Sequence, residues 1–401
     1  MLSPFTVSFP GLNIPEIKIN STAFKIFNFP IQWYALIITC GIALAALYCW
    51  YRAKQEKIKT DDLLDIALYT IIFGIIGARA GYVLFSLENY IRDNPWETIV
   101  AMVNLREGGL QIYGGIIAGI ATIVIICYIK KINPFKMLDA AGSAVIIGQF
   151  IGRWGNFMNG EAHGSLVEKG NPLYIFRMRL SRYKAEDGWV FRSGDVHPTF
   201  LYESLWNIVG FLLMLFLYKK KKFNGQIALM YLAWYGFGRM LIETLRTDSL
   251  VIEIGKADIR VSVVIGAVCF VAGVSMLIVN FILAAKAKKA GVEYVAFYEK
   301  PFLAAYAKRE AKEVENAAAK AASDAVKSAD ECTENTDEEV NSEPAQNEEP
   351  HSDAEGEESD APTDNECESK EDITKRFNEI FNENKEENND NDEGDKNGKD
   401  N

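Results

Sequence analysis

Seven stretches of mostly apolar residues constrain this chain more than any other feature. They run over about 31–51, 63–87, 109–129, 138–158, 197–218, 226–245 and 261–285. Each approaches the ~20 residues that a helix needs to cross the hydrocarbon core of a bilayer. Backbone groups in lipid must find their partners inside the segment, so such runs are read as helices. The expected fold is an all-α integral membrane protein with seven transmembrane helices. The fourth, fifth and sixth runs carry charges and are expected to score lower on hydropathy alone.

Charge divides the chain differently from hydropathy. Residues 1–330 hold 36 Lys and Arg against 27 Asp and Glu, whereas residues 331–401 hold 6 against 27. The overall net charge of −12 therefore describes neither part. From about residue 301 the composition turns Ala/Lys/Glu-rich and then Glu/Asp/Asn/Ser-rich, which cannot bury a core and is expected to be disordered. Within it, Phe377 to Phe381 form a short amphipathic patch. The division expected is a body over 1–300 and an acidic disordered cytoplasmic tail over 301–401. The loop 159–196 is too long for a hairpin and rich in Trp, Tyr, Phe and Arg. It is read as a small external cap.

Lysine-rich turns, at Arg52 to Lys59, Lys130 to Lys136, Lys219 to Lys222 and Lys286 to Lys289, all fall on one side of a seven-span thread. The positive-inside rule makes that side cytoplasmic, with the N-terminus outside and the C-terminal tail inside. Setting loop 159–196 aside, 14 basic residues lie there against 7 opposite. No basic region followed by an apolar core and a small-residue cleavage site opens the chain, so no cleaved signal peptide is expected. Cys40, Cys49, Cys127 and Cys269 lie in apolar runs, and Cys332 and Cys367 in the tail. Without ligand spacing they are read as reduced, small buried residues. The glycine pairs Gly77/Gly81, Gly115/Gly119 and Gly148/Gly152 are read as close-packing positions between helices.

The polar residues inside the runs point to chemistry. Gly152 to Glu161, Gly-Arg-Trp-Gly-Asn-Phe-Met-Asn-Gly-Glu, set an arginine, two asparagines and a glutamate at the end of an apolar helix. A charge at membrane depth costs ~2.5–3.5 kcal/mol or more at a helix centre, so it marks function by default. Alternating the seven spans brings Tyr34, Arg79, Gln111, Tyr113, Arg153, Asn156, Asn159, His197, Tyr202, Glu203, Tyr235, Arg239 and Glu243 to one leaflet, opposite the lysines. Tyr235, Arg239 and Glu243 share one helical stripe, which makes an Arg239–Glu243 ion pair as plausible as a ligand contact. Arg153 has no acid at helical spacing, leaving Glu161 or a ligand as its partner. Arginine suits bidentate binding of phosphate or carboxylate, and the commonest such anion in a bilayer is a phospholipid headgroup. With three histidines, one of them in the tail, a His-rich metal site is not expected. No P-loop, no GxSxG elbow and no basic stripe for nucleic acid appears, and no cofactor is expected.

These residues resemble the bacterial prolipoprotein diacylglyceryl transferases. The likeness rests on the stretch Gly152 to Glu161, which is similar to the family signature. It extends to Gln32-Trp33-Tyr34, Gly77 to Val83, Glu107 to Leu110, Gly114-Gly115, His197 to Glu203 and Tyr235 to Arg239. It covers about residues 30–285 and leaves the acidic tail outside. The resemblance implies an enzyme of the bacterial cell membrane that takes diacylglyceryl from phosphatidylglycerol. It would join that group in thioether linkage to the lipobox cysteine of a prolipoprotein signal peptide, releasing glycerol phosphate. It implies Arg153 and Arg239 as the essential contacts. The substrate-binding set is then Tyr34, Arg79, Asn156, Asn159, Glu161, Gly164, Tyr235 and Glu243.

One position departs from the pattern. Many relatives carry histidine before the Gly-Gly of the third span, where this chain has Tyr113. Tyrosine titrates near 10 and histidine near neutrality. Tyr113 is read as orienting lipid or thiol, and it and His197 complete the catalytic candidates. Two other readings remain: a phospholipid transporter or flippase, and an inactive lipid-binding scaffold. Neither would make a thioether. No internal repeat of the transporter kind is evident.

Overall fold

The computed structural model describes residues 5–27, 29–105, 108–161, 163–184, 189–247, 251–254 and 257–338. The patch at 377–381 and Cys367 lie outside them. The chain forms two compact units, Met1–Tyr306 and Ala307–Asn401. Among the described residues the first contains seven long helices: α1 (Trp33–Gln55), α2 (Thr60–Phe85), α4 (Ile112–Ile129), α5 (Pro134–Met158), α6 (Thr199–Tyr218), α7 (Gln226–Glu243) and α8 (Val261–Lys289). A short α3 (Pro95–Val103) precedes α4. Each long helix occupies one of the apolar runs.

By length and composition, α1, α2, α4, α6 and α8 can cross a membrane. α5 and α7, which carry Arg153 and Arg239, do not meet that test. α6 was expected to score low, yet passes because Glu203 is its one charged residue. Large apolar side chains such as Ile42, Leu64, Ile117 and Val268 are more than half exposed on the outside of the bundle. Lipid is the solvent that such a surface suits. The body is an all-α membrane protein, and the same surface explains a correction among the cysteines. Cys127 is buried, but Cys40 is exposed and Cys49 and Cys269 half-buried, all four as free thiols.

Helix ends follow from local chemistry. Asn133 caps α5 by accepting from the Phe135 amide at 3.0 Å, with Pro134 at the first helical position. α7 begins at Gly225 without a cap of its own. Asp139 of α5, fully buried, supplies it by accepting from the Gly225 and Ala228 amides at 2.9 Å each. Lys221 neutralises Asp139 at 3.1 Å and Glu56 at 2.6 Å.

α2 packs on α4, α7 on α8, and α1 on α5. The α2–α4 contact is backbone to backbone. A Cβ at Gly77 would lie 2.2 Å from the Ala118 Cβ and 2.7 Å from the Gly114 oxygen. The pairing of Gly148 with Gly152 is corrected, since a Cβ at Gly152 would meet nothing within 4 Å. Gly77→Val is therefore expected to cost about 1–3 kcal/mol or more by overpacking, and Gly152→Ala almost nothing. Thermal melts in detergent compare the two, and equal midpoints would contradict this packing.

Beside the helices stands a small sheet that an all-α reading leaves out. β1 (Phe5–Phe9), β2 (Ile14–Ile19), β5 (Arg179–Lys184) and β6 (Trp189–Arg192) pair antiparallel in the order β2-β1-β5-β6. β3 (Thr22–Ile26) with β4 (Phe29–Gln32), and β7 (Val251–Ile254) with β8 (Ala257–Arg260), make two hairpins. Phe5, Val7, Phe9, Met178 and Leu180 bury one face of the sheet against Phe157 and Met158 of α5 and Phe200 of α6. The sheet thus seats on the end of the bundle that holds Arg153. Asp195 ties its flank, accepting from Arg179 at 2.6 Å and Tyr174 at 3.0 Å. Burial would raise the Asp195 carboxyl, but those hydrogen bonds and the nearby guanidiniums hold it below its ordinary range.

At the opposite end, the chain after α8 turns back onto the bundle. Glu299, nearly buried, accepts from the Asn133 and Asn224 side-chain amides. Tyr298 donates to the Asn224 carbonyl at 2.6 Å and Tyr306 to that of Ile132 at 2.8 Å. The expectation of disorder from residue 301 does not hold for its first part, because α9 spans Lys300–Glu338. Alanine, lysine and glutamate are strong helix formers, and such a helix needs no core.

Candidate functional site

Two carboxylates and three guanidiniums meet where α5, α6 and α7 end or begin beneath the sheet. Glu203, on the second turn of α6, receives Arg153 Nη2 at 2.5 Å, Arg246 Nη1 at 3.4 Å and Arg239 Nη1 at 3.8 Å. Glu243, 1% exposed, receives Arg239 Nη2 at 2.9 Å and Arg246 Nε at 4.0 Å. Its other oxygen accepts from Ser262 Oγ at 2.6 Å, and its carbonyl accepts from Arg260 Nη1 at 2.7 Å. Among the described residues cations outnumber anions here, three guanidiniums paired with two carboxylates and Arg260 beside Glu243 as a further cation. A buried cluster with that residual sign can accept a further anion.

Arg153, Glu203 and Arg239 of the cluster line a recess with Gln149, Trp206, Asn207 and Tyr235, enclosing about 30 Å³. That holds one or two waters and no headgroup. Glu203 already engages Arg153, so any entering anion must compete with it for that guanidinium. Tyr235 has Arg239, Tyr113 and Arg153 as electrostatic neighbours. Tyr34 packs on Gly155, one turn from the cluster, where an added Cβ would lie 3.2 Å from its ring. Trp206 and Trp234 stack at 4.2 Å, each indole donating to the other's carbonyl. This stack fixes α6 against α7.

Several residues expected here have other partners. Arg79, 5% exposed, turns inward. It donates to the carbonyls of Ala101, Met102, Gly108 and Gly109 at 2.6–3.0 Å. Four of its five N–H groups are thereby used on backbone, and Tyr90 lies against the guanidinium at 5.0 Å. Arg79→Ala is expected to cost about 2–4 kcal/mol through the loss of four part-buried hydrogen bonds to backbone carbonyls. Arg79→Lys would not rescue it, since an ammonium cannot span four acceptors. Denaturation in detergent tests both, and a fully stable Arg79→Ala would contradict the brace.

Glu161 is exposed and in no ion pair among the described residues, so the acid that partners Arg153 is Glu203. Asn156 and Asn159 close α5: the Asn156 carbonyl accepts from the amides of Asn159 at 3.2 Å and Glu161 at 3.0 Å. His197 is buried with Nδ1 3.3 Å from the Tyr202 hydroxyl, and is outside the lining of the recess. It does not cap α6, whose N-cap is Pro198 without a side-chain bond. Gly164 donates to the His197 carbonyl at 2.8 Å. A Cβ there would lie 2.7 Å from the Leu245 oxygen, so only glycine lets the loop cross.

Arg246, Ser262, Gln149, Trp206 and Asn207 belong to the cluster or its lining and were not singled out from the sequence. For Arg246 a signal existed: it stands three residues after Glu243, continuing the Tyr235–Arg239–Glu243 stripe past the end of the span. The others carry none that sequence alone distinguishes.

Residues 21–279 match the family model described as prolipoprotein diacylglyceryl transferase. The chain is similar to the phosphatidylglycerol–prolipoprotein diacylglyceryl transferase of Enterococcus faecalis, with 40% identity over 66% of this chain and 91% of that protein. It is similar to the protein of that name numbered 1 from Clostridium perfringens, with 38% identity over 68% and 98%. For Streptococcus mutans the figures are 39% identity over 65% and 95%.

Proposed function

Because the chain belongs to the prolipoprotein diacylglyceryl transferase family, we propose that its arginine cluster holds the phosphate of phosphatidylglycerol during transfer. The enzyme transfers diacylglyceryl to prolipoprotein. We read the seven long helices as seven spans, with the sheet and the loop 159–196 as an external cap. The N-terminus lies outside and the acidic tail, from about 301, in the cytoplasm. The site then faces the outer leaflet of the bacterial cell membrane, where the lipobox cysteine of a signal peptide presents its thiol.

The observation that carries this reading is the excess of guanidinium over carboxylate among the described residues, with Arg153, Arg239 and Arg246 around Glu203 and Glu243. A phosphodiester monoanion neutralises it. In the reaction the cysteine thiolate attacks the glycerol carbon, a C–S bond forms, and the C–O bond to phosphate breaks. The departing glycerol phosphate gains a second acidic oxygen with pKa about 6, which can take up the proton the thiol gave. Charge grows on the phosphate as the bond breaks, and guanidiniums fixed in a water-poor site stabilise that growth more than the ground state. Tyr34, Tyr235, Asn156, Asn159 and Glu161 shape the entrance around this centre. Arg79 acts as a positioning residue through the end of α3 and the Gly108 and Gly109 carbonyls, Gly164 through the crossing beside Leu245, and His197 through Tyr202.

Incubating purified protein with phosphatidylglycerol and a lipobox peptide tests the reading by mass spectrometry. A diacylglyceryl gain on the cysteine, with glycerol phosphate released in equal amount, is expected. Both substrates bound with no product would overturn it. Tyr113→Phe is expected to retain turnover within about tenfold, since tyrosine there orients and no imidazole base is required. Abolished turnover with unchanged lipid binding would assign Tyr113 the proton transfer instead.

A further inference from the structure

The end of the bundle opposite the arginine cluster has a second recess, of about 880 Å³. It lies between the last turns of α8 and the chain that reverses at Gly291. Lys222, Lys288 and Lys289 stand around it, Ala284 and Ala285 form an apolar wall, and Glu293 is the one acid in the lining. The reversal is fixed by the Val292 amide donating to the Ala287 carbonyl at 3.0 Å. Behind it Tyr294 donates to Asn280 Oδ1 at 2.7 Å.

Two other lysines on this face are satisfied within the protein. Lys130 pairs with Asp62 and Asp65, and Lys221 with Glu56 and Asp139. Lys222, Lys288 and Lys289 form no ion pair among the described residues, although they converge on one concavity. The Lys222 backbone is held by its amide donating to Gln226 Oε1 at 2.7 Å, and its ammonium lies 5.4 Å from the Phe281 ring centre. The apolar wall runs on into exposed Ile282 and Leu283 of α8, on the surface that faces lipid.

We propose that this recess is a binding site for an anionic phospholipid of the leaflet opposite the reacting one. The lysines take the headgroup phosphate, and the acyl chains lie along α8. Basic pockets at the membrane surface recognise anionic headgroups in this manner, and lysine serves phosphate as a point charge. The lipid held here is not the reacting one. Ser262, beside Glu243, starts α8 and Lys288 ends it, about 40 Å apart at 1.5 Å per residue. The family match ends at residue 279, before the residues that form the α8 side of the recess. An extended acyl chain and a phosphate fit the combination of apolar wall and open cations, which a free anion would leave half unused.

Native mass spectrometry of the full chain, stripped of lipid in detergent and titrated with phosphatidylglycerol, phosphatidylcholine or inorganic phosphate, tests this. The variant combining Lys222→Gln, Lys288→Gln and Lys289→Gln is expected to lose one bound phosphatidylglycerol, its affinity falling roughly 100-fold. Arg153→Ala, and a control combining Lys54→Gln, Lys57→Gln and Lys59→Gln, are expected to keep it. Phosphatidylcholine, whose phosphate is already balanced by its own cation, is expected not to occupy the site. Unchanged lipid count in the triple variant would overturn the proposal, as would competition by phosphate at concentrations equal to the lipid. Carbodiimide cross-links from these lysines to carboxylates of residues 331–401 that persist in saturating lipid would make the acidic tail the occupant, and would also overturn it. Lipid count is read without turnover, so this outcome is separate from that of the transfer assay.

Discussion

Arg153→Ala is expected to lower kcat by 10²–10³, about 3 kcal/mol, the usual loss when one preorganised donor to a developing oxyanion is removed. Arg153 is the guanidinium nearest to Glu203, at 2.5 Å, and its side chain is 22% exposed. It is therefore tightly held yet reachable from the recess. Neither Arg239 nor Arg246 can stand in for it, because Glu243 engages both from the other side. Arg153→Lys is expected to recover little, since an ammonium offers no planar fork for two phosphate oxygens. Steady-state kinetics on phosphatidylglycerol, with the fold checked by thermal melts, separates the alternatives. A fall in kcat identifies stabilisation present in the transition state; a rise in KM alone would mean uniform binding and would contradict the assigned role.

How far the sequence alone reaches differs among the parts. The long helices were legible because a membrane span is a local property, about 20 residues of apolar composition. β1 was not, although Phe5, Val7 and Phe9 alternate as a half-buried strand should. Its partner β5 lies some 170 residues on, and five residues beside two prolines carry too weak a pattern to read. Threading the spans alternately brought Arg153, Tyr235, Arg239 and Glu243 to one end, where the structure joins them. It could not give the rotation of each helix about its axis, and rotation decides which acid Arg153 meets. Glu203 is 50 residues away, so no spacing rule pairs the two. Arg79 illustrates the converse. A deep arginine invites a ligand, yet its acceptors are backbone carbonyls, and every sequence has those. Composition misjudged the start of the tail for a similar reason: it reports that no core can form over 300–338, which a solvated helix does not require.

Glu203→Gln should move binding and turnover in opposite directions. The carboxylate takes Arg153, Arg246 and Arg239 at 2.5, 3.4 and 3.8 Å, the groups proposed to receive the substrate phosphate. Glutamine keeps the shape but removes the charge, leaving Arg153 with no carboxylate among the described residues while Arg239 and Arg246 keep Glu243. A phosphodiester then displaces a neutral amide instead of a competing anion. A charge-assisted hydrogen bond is worth about 1.5–3 kcal/mol, so phosphatidylglycerol is expected to bind ~10–100-fold more tightly. Glycerol phosphate, which leaves with more charge than the lipid brought, gains more from the excess cation and is held longer. Product release then slows, and kcat falls by at least about tenfold while KM falls too, the pattern of lost ground-state competition. Added glycerol phosphate should inhibit this variant at lower concentration than the parent enzyme. A KM that rises, or product inhibition left unchanged, would mean that Glu203 only scaffolds the arginines. Glu203→Ala separates charge from shape, because it adds a cavity to the same charge change. It should share the tighter binding but melt at lower temperature, whereas a scaffold role would weaken binding in both variants in proportion to their loss of stability.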